Sequence, residues 1–246
     1  QQERARDLRS LRVALLAGAP VPAKLRRQVA DVLGCGLTIV YGATESPTLT
    51  QLSPADPEPA RIDSVGRSTP GVELAIFEPD TTNPLPAGEV GEIAARGYNH
   101  MVAYLSDPEA TESKFRDGWI LPGDLGWMDA DGFLYVTGRS EEMFLCGGFN
   151  VYPRELETQL ESLEGADEVV VVAVPDERLG EVALAYMTGD NTSLSEASVL
   201  SWAHENMASY KRPRYVRILP RIPRTHVGKT ARRELERRAR TDLPDL

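Results

Sequence analysis

Apolar and polar positions along the chain change rhythm several times, and each rhythm predicts a different element. Leu11–Ala17 is a short, mostly apolar run and predicts a buried strand. Pro22–Leu33 spaces its apolar residues at helical intervals, with Pro22 near the first turn, and predicts an amphipathic helix. Leu37–Tyr41 predicts a second strand. Strand, helix and strand within about 30 residues make a βαβ unit with a parallel pair. Gln51–Arg61 is acidic and proline-rich, which predicts a loop. Val72–Glu78, Val90–Arg96 and Phe133–Gly138 alternate or carry β-branched residues between Gly, Pro and Asp punctuation. They predict a small antiparallel or barrel-like unit, with Asp131-Gly132 as a hairpin turn.

The character changes after Gly138-Arg139. Tyr152–Ser162 reads as a helix with Pro153 in its first turn. Glu168–Val174 and Glu181–Met187 read as strands, Ser195–Met207 as a helix, Arg214–Leu219 as a strand and Thr230–Arg240 as a charged helix. The expected fold class is α/β followed by α+β, with domains over residues 1–139 and 140–246. The second, about 105 residues, is of ordinary domain size. No internal repeat is present.

Composition narrows the class. Hydrophobic residues make up 41% and charged residues 26% of the 246, enough for a core in a soluble protein. No apolar run approaches the roughly 20 residues of a membrane-spanning helix, and Gln1–Arg12 is too polar for a signal peptide. Cys35 and Cys146 are the only cysteines. That excludes a disulfide framework and makes a reducing, cytoplasmic setting the expectation. Asp129-Ala130-Asp131-Gly132 superficially suggests a calcium loop but lacks the later ligands and the closing Glu.

The net charge of −10 is unevenly spread. Residues 211–240 hold 12 Lys/Arg against 2 Asp/Glu, leaving 15 against 35 elsewhere. A basic tail on an acidic body can steer a polyanionic ligand. One aromatic, Tyr215, and no nucleic-acid motif argue against nucleic acid as that ligand. A solvated helix face accounts for most of these arginines.

Six segments carry candidate chemistry. Tyr41-Gly42-Ala43-Thr44-Glu45 follows the second strand, where ligands of parallel sheets bind. Tyr41 can stack on a base, and Gly42 lets the backbone approach. Thr44 offers a hydroxyl to phosphate, and Glu45 a hard oxygen to Mg²⁺. Read alone it is equally a strand ending in a polar loop. Gly123-Asp124-Leu125 places a carboxylate that can accept both hydroxyls of a ribose, or simply a surface turn. Gly138-Arg139 adds a cation. Gly147-Gly148-Phe149-Asn150-Val151-Tyr152-Pro153 is a glycine turn into a helix. Pro223-Arg224-Thr225-His226-Val227-Gly228-Lys229 puts Lys229 on a glycine-flanked turn before a helix. Gly18-Ala19-Pro20, a small-residue corner, ends the first strand.

In order and spacing, from Gly18 to Lys229, these segments resemble the ATP-dependent, adenylate-forming enzymes that activate carboxylates. Asn150-Val151-Tyr152-Pro153 resembles their acyl-CoA synthetase branch most. The resemblance implies ATP, Mg²⁺ and CoA as ligands, and acyl-AMP as intermediate. It implies that Gly18, Ala19, Tyr41 and Gly42 line the nucleotide and acyl pockets. Asp124 and Arg139 would meet the ribose, Thr44 the phosphate and Glu45 the Mg²⁺. Gly147 and Gly148 would border the pantetheine of CoA, and Lys229 would offset charge at the α-phosphate. Glu141 falls at the family's hinge, where Asp or Lys is usual. Pro122 stands where a Thr usually precedes Gly-Asp, which stiffens that turn. His226 reads as non-catalytic, and Arg232 and Arg233 as surface residues or contacts to CoA phosphate; Glu92 and Tyr104 fall in a family-like segment and read as structural.

The family's Ser/Thr/Gly-rich, lysine-containing phosphate loop has no match in residues 1–40. The expectation is that the chain is the C-terminal half of a longer enzyme, with 1–139 the end of a large AMP-binding domain and 140–246 a small mobile domain. Its partners would then be ATP or AMP, CoA, a carboxylic acid and the N-terminal remainder. Alone it would adenylate weakly or not at all. Two other readings remain: a ligase that loads a carrier protein or stops at acyl-AMP, and a non-catalytic protein that binds nucleotide or CoA.

Overall fold

The computed structural model describes residues 7–189, 194–226 and 228–243. The chain divides into two compact units, Gln1–Thr137 and Gly138–Leu246.

The first unit begins with β1 (Val13–Ala17), α1 (Ala23–Leu33) and β2 (Gly36–Ala43). β1 and β2 run parallel, from Val13↔Gly36 to Ala17↔Val40, which completes the βαβ unit. Gly34 closes α1 in the left-handed conformation, φ 60°, where glycine carries no side-chain penalty. Arg26 is buried in that helix and donates to the carbonyls of Val21 (2.9 Å) and Ser64 (2.7 Å). It pins α1 to the chain after α2 (Glu58–Asp63). β3 (Ser46–Gln51) and β4 (Arg67–Ser68) extend the sheet antiparallel, in the order β1-β2-β3-β4.

Two expectations need correction here. β1 is not buried: Val13 is 53% and Leu15 62% exposed, on a face that no described residues cover, and among the described residues β1 pairs with β2 alone. The proline-rich stretch is not all loop either. Pro59 sits in the first turn of α2, where a fixed φ and a missing N–H cost nothing.

The second sheet holds β5 (Val72–Phe77), β6 (Gly91–Gly97), β7 (Phe115–Arg116), β8 (Trp119–Ile120), β9 (Asp124–Met128) and β10 (Leu134–Arg139), with α3 (Pro108–Glu112) between β6 and β7. β5 pairs antiparallel with β6 along its length. Ile93, Ala94 and Ala95 of β6 are fully buried, as a strand covered on both faces requires. Asp129 Oδ1 accepts the N–H groups of Asp131 (3.0 Å) and Phe133 (2.9 Å). The would-be calcium loop is therefore an Asx-type turn that spends its carboxylate on its own backbone.

In the second unit a 3₁₀ turn (Ser140–Glu142) leads to β11 (Phe144–Cys146), β12 (Phe149–Val151), α4 (Pro153–Leu160), β13 (Ala166–Asp176), β14 (Gly180–Gly189), α5 (Glu196–Asn206), β15 (Tyr215–Ile218) and α6 (Arg232–Asp242). β13 and β14 pair antiparallel over their whole length, and β15 joins β14 in parallel. α4 and α6 lie against β13, and α5 against β15. Leu156 and Leu160 of α4, Val199 of α5 and Leu235 of α6 enter one core with Val169–Val172 and Ala183–Met187. Ser195 caps α5 by accepting from Ser198 N at 3.1 Å. The fold is thus α/β in its first sheet and α+β in the second unit.

Leu184 is fully buried in the centre of this core. Leu184→Ala should cost about 2–5 kcal/mol, read as a lower urea midpoint at unchanged slope.

Candidate active site

In the first unit the parallel strands β1 and β2 end side by side, and the candidate residues gather there. Gly18, with φ 84°, and Ala19 form the exposed turn after β1. Tyr41, Gly42 and Ala43 are the last residues of β2, which runs two residues beyond the expected strand end at Tyr41. Thr44 and Glu45 make the tight turn into β3. The sequence reading missed that hairpin because Ser46-Pro47-Thr48 does not look like the start of a strand.

The turn is irregular, and its irregularity explains its residues. The β2–β3 register slips between Tyr41 and Ala43. A Cβ on Gly42 would lie 2.6 Å from Thr48 N and 2.8 Å from Ser46 O. Only glycine fits that approach. Thr48 takes φ 56°, strained for a β-branched residue. Its carbonyl is held by the Thr69 hydroxyl at 2.9 Å, and Asn99 Nδ2 donates to the Pro47 carbonyl beside it.

Two side-chain pairs organise the chemistry. The Tyr41 hydroxyl donates to Asp124 Oδ2 at 2.6 Å, across 83 residues of sequence. Asp124 opens β9 and is 8% exposed, after Gly123 with φ 87°. One carboxylate oxygen thus fixes the tyrosine ring at the strand end. The Tyr104 hydroxyl donates to Glu45 Oε1 at 2.5 Å, while Met101 N donates to the Glu45 carbonyl at 2.8 Å. Tyr104 keeps a structural role, and that role is to hold a candidate site residue. A pairing across 59 positions leaves no local trace in the sequence. His100 Nδ1 lies 2.7 Å from Ser46 Oγ, and burial lowers its pKa, so it supports the turn as a neutral ring. Glu92 pairs with Arg116 at 2.6 Å and stays structural.

Mg²⁺ fits this end of the sheet in one way. Among the described residues no cluster of three or more His, Cys, Asp or Glu exists. Glu45 is half-buried and Thr44 exposed. One carboxylate and a hydroxyl suit an Mg²⁺ that takes its other ligands from water and phosphate.

The second unit carries the remaining candidates. Gly147 and Gly148, φ 59° and 86°, are the two turn residues of the β11–β12 hairpin. Positive φ at both is the I′ geometry that matches strand twist. The expected turn into a helix is therefore a hairpin, with β12 standing before α4. Gly147 N donates to Leu179 O at 2.8 Å, and Phe149 stacks on Tyr210 at 4.7 Å. Arg139 ends β10, and its Nη2 lies 3.7 Å from Glu141 Oε1 in the following 3₁₀ turn.

Lys229 is exposed on a closed loop. Thr225 N donates to Lys229 O at 2.7 Å, Gly228 N to Thr225 O at 2.9 Å, and Ala231 N to Pro223 O at 2.9 Å. Gly228 takes φ 83°. Val227 lies outside the described residues. Arg232 is not at the surface as expected. Its side chain is 19% exposed and meets Glu157 at 2.7 Å and Glu142 at 3.1 Å. Arg233 and His226 are exposed.

Residues 1–105 match the family model described as AMP-binding enzyme, and residues 155–229 match that of the AMP-binding enzyme C-terminal domain. A methyl-dioxo-octahydroindenyl-propanoyl:CoA ligase of Rhodococcus jostii is 38% identical over 93% of this chain and 43% of its own length. A feruloyl-CoA synthase of Amycolatopsis is 37% identical over 96% of this chain and 48% of its own. Among solved structures, ATP-bound MatB from Rhodopseudomonas palustris superposes with a TM-score of 0.86 at 32% identity, covering 92% of this chain and 45% of that one. The chain belongs to the AMP-binding, adenylate-forming enzyme family. It spans less than half the length of these relatives. Among the described residues, no helix is long and apolar enough to cross a membrane.

The Tyr104–Glu45 pair can be titrated. The hydrogen bond to Glu45, helped by burial and by the carboxylate charge, pushes the Tyr104 phenol from 10.0 up to about 12. The folded chain holds this proton more tightly than the unfolded chain. The stabilisation is therefore complete below pH 10 and fades as pH rises through about 12. In Glu45→Ala, the ultraviolet titration difference assigned through Tyr104→Phe should move back toward 10.0.

Proposed function

We propose that this chain carries the carboxylate-activating machinery of an AMP-forming acyl-CoA synthetase. The substrate carboxylate attacks the α-phosphate of ATP, giving acyl-AMP and pyrophosphate. The CoA thiol then attacks the acyl carbon, giving the thioester, AMP and a proton. The observation that carries the reading is the convergence of Tyr41, Asp124, Glu45 and Tyr104 at the end of β2 through bonds of 2.6 and 2.5 Å.

The residues then take these roles. Tyr41, its ring fixed through Asp124, stacks on adenine, with Gly18, Ala19 and Gly42 leaving room for it. Asp124 keeps acceptor capacity for the ribose hydroxyls, with Arg139 as a second ribose contact. Thr44 binds phosphate, and Glu45, steadied by Tyr104, is the protein ligand for Mg²⁺. The metal, when bound, neutralises phosphate charge. Lys229 provides the compact cation that offsets charge developing at the α-phosphate, a positioning-plus-electrostatics task. Gly147 and Gly148 border CoA, and Glu141 is the hinge. Residues 1–139 form the end of an AMP-binding domain and 140–246 a small mobile one. The phosphate-gripping loop comes from the remainder of a longer chain.

The test is AMP release dependent on a carboxylic acid and CoA. Three proteins are compared: the full-length protein, the 246-residue chain, and full-length Lys229→Ala. Release by the first, its absence from the second and a loss of ~10²–10³-fold in the third are expected. Full-length protein that forms acyl-AMP yet ignores CoA would point to a carrier-protein acceptor. Nucleotide binding without any acyl-AMP would make it a binding protein.

A further inference from the structure

We propose that Arg232 is a positioning residue for the Lys229 loop, clamping the start of α6 onto β13 so that the lysine is held at a fixed distance from the core of its unit. The inference rests on the role proposed for Lys229.

The geometry is a bracket. Arg224 and Arg232 flank the Lys229 loop, and both reach the same strand. Arg224 Nη2 bonds Glu168 Oε1 of β13 at 2.6 Å. Arg232 Nη1 donates to the Val171 carbonyl, three residues further along β13. Its Nη2 bonds Glu157 Oε1 of α4 at 2.7 Å, and that same oxygen accepts Val171 N at 3.0 Å. Its Nε bonds Glu142 Oε1 at 3.1 Å, on the 3₁₀ turn that also holds Glu141.

The two arginines differ in strength as anchors. The Arg224–Glu168 pair is half-exposed, at 48% and 29%, where an ion pair contributes little. The Arg232 and Glu157 side chains are 19% and 5% exposed, so water does not replace a lost partner. Arg232 also uses three separate nitrogens on three elements, which fixes its direction. A lysine, with one compact charge, cannot reproduce that fork. Hydrogen bonds from Thr225 N to Lys229 O and from Ala231 N to Pro223 O tie the described residues of the loop to the start of α6. Whatever sets that helix start sets Lys229.

Full-length Arg232→Met, Arg232→Lys and Lys229→Ala are compared in three measurements. These are pyrophosphate exchange, thioester formation from supplied acyl-AMP and CoA, and the rate of tryptic cleavage after Arg224 and Lys229. Arg232→Met is expected to lose exchange by ~10²-fold, the scale of a misplaced group. Its thioester step should be retained and its loop cleaved faster. Arg232→Lys keeps a charge beside Glu157. It should therefore fold even if the methionine variant does not, with an intermediate loss of exchange and faster loop cleavage. Arg232→Lys with parental exchange and parental cleavage overturns the inference. Equal losses in both half-reactions also overturn it, making Arg232 a general stabiliser. If Lys229→Ala keeps full exchange, the role of Lys229 falls instead. Faster loop cleavage in Arg232→Lys then still supports Arg232 as the anchor.

Discussion

The second unit is built around one unmet requirement of β13. β14 covers one edge of that strand throughout, and no strand covers the other among the described residues. Buried backbone groups must still find partners. At Val171 the N–H is accepted by Glu157 and the carbonyl receives Arg232. A carboxylate and a guanidinium thus do locally what a neighbouring strand would do, and they blunt an edge that could otherwise pair with another chain. Burial alone would lower the Arg232 pKa. The charges of Glu157 and Glu142 outweigh it, and the net shift is upward, which keeps the cation charged. The arrangement tolerates little change, because removing one buried charge strands the other.

The first unit meets a different constraint with the same logic. The β2–β3 turn places Tyr41, Thr44 and Glu45 at the strand end through a slipped register and a strained Thr48. Strain of this kind persists only where surrounding structure holds it. Here the support is the segment Asn99–Tyr104, bonded to the turn at Pro47, Ser46 and Glu45. Thr69 adds a further bond. A flexible turn would lose entropy each time it met a ligand. A braced one has lost it already.

Much of the chain was legible as pattern. The βαβ start, the β13 and β14 runs, and the α5 helix follow from the pattern of apolar and polar positions. What failed did so for physical reasons. β1 has the apolar composition of a buried strand, but among the described residues nothing covers its Val13 and Leu15 face, and burial depends on neighbours rather than on composition. β9 begins with Asp124 and spans Gly126, a poor strand by propensity, and forms because β6 and β10 lie on either side of it. Paired glycines at 147 and 148, just ahead of Pro153, have the pattern of a lead into a helix. The short strand after them pairs with β11 over three positions, too few to show a period.

The sequence by itself determined which groups the chain offers: the Tyr41–Glu45 motif, Asp124, Arg139, the glycine pair and Lys229, in an order that marks the family. It determined the elements too, wherever a periodic apolar face was long enough to demand burial. Only the tertiary structure decided which of those groups hold one another. Tyr41 with Asp124, Glu45 with Tyr104, and Arg232 with Glu157 and Glu142 join residues 83, 59, 75 and 90 positions apart. Periodicity and capping act over a few residues, so a contact closed by folding across such distances leaves no mark in the local pattern.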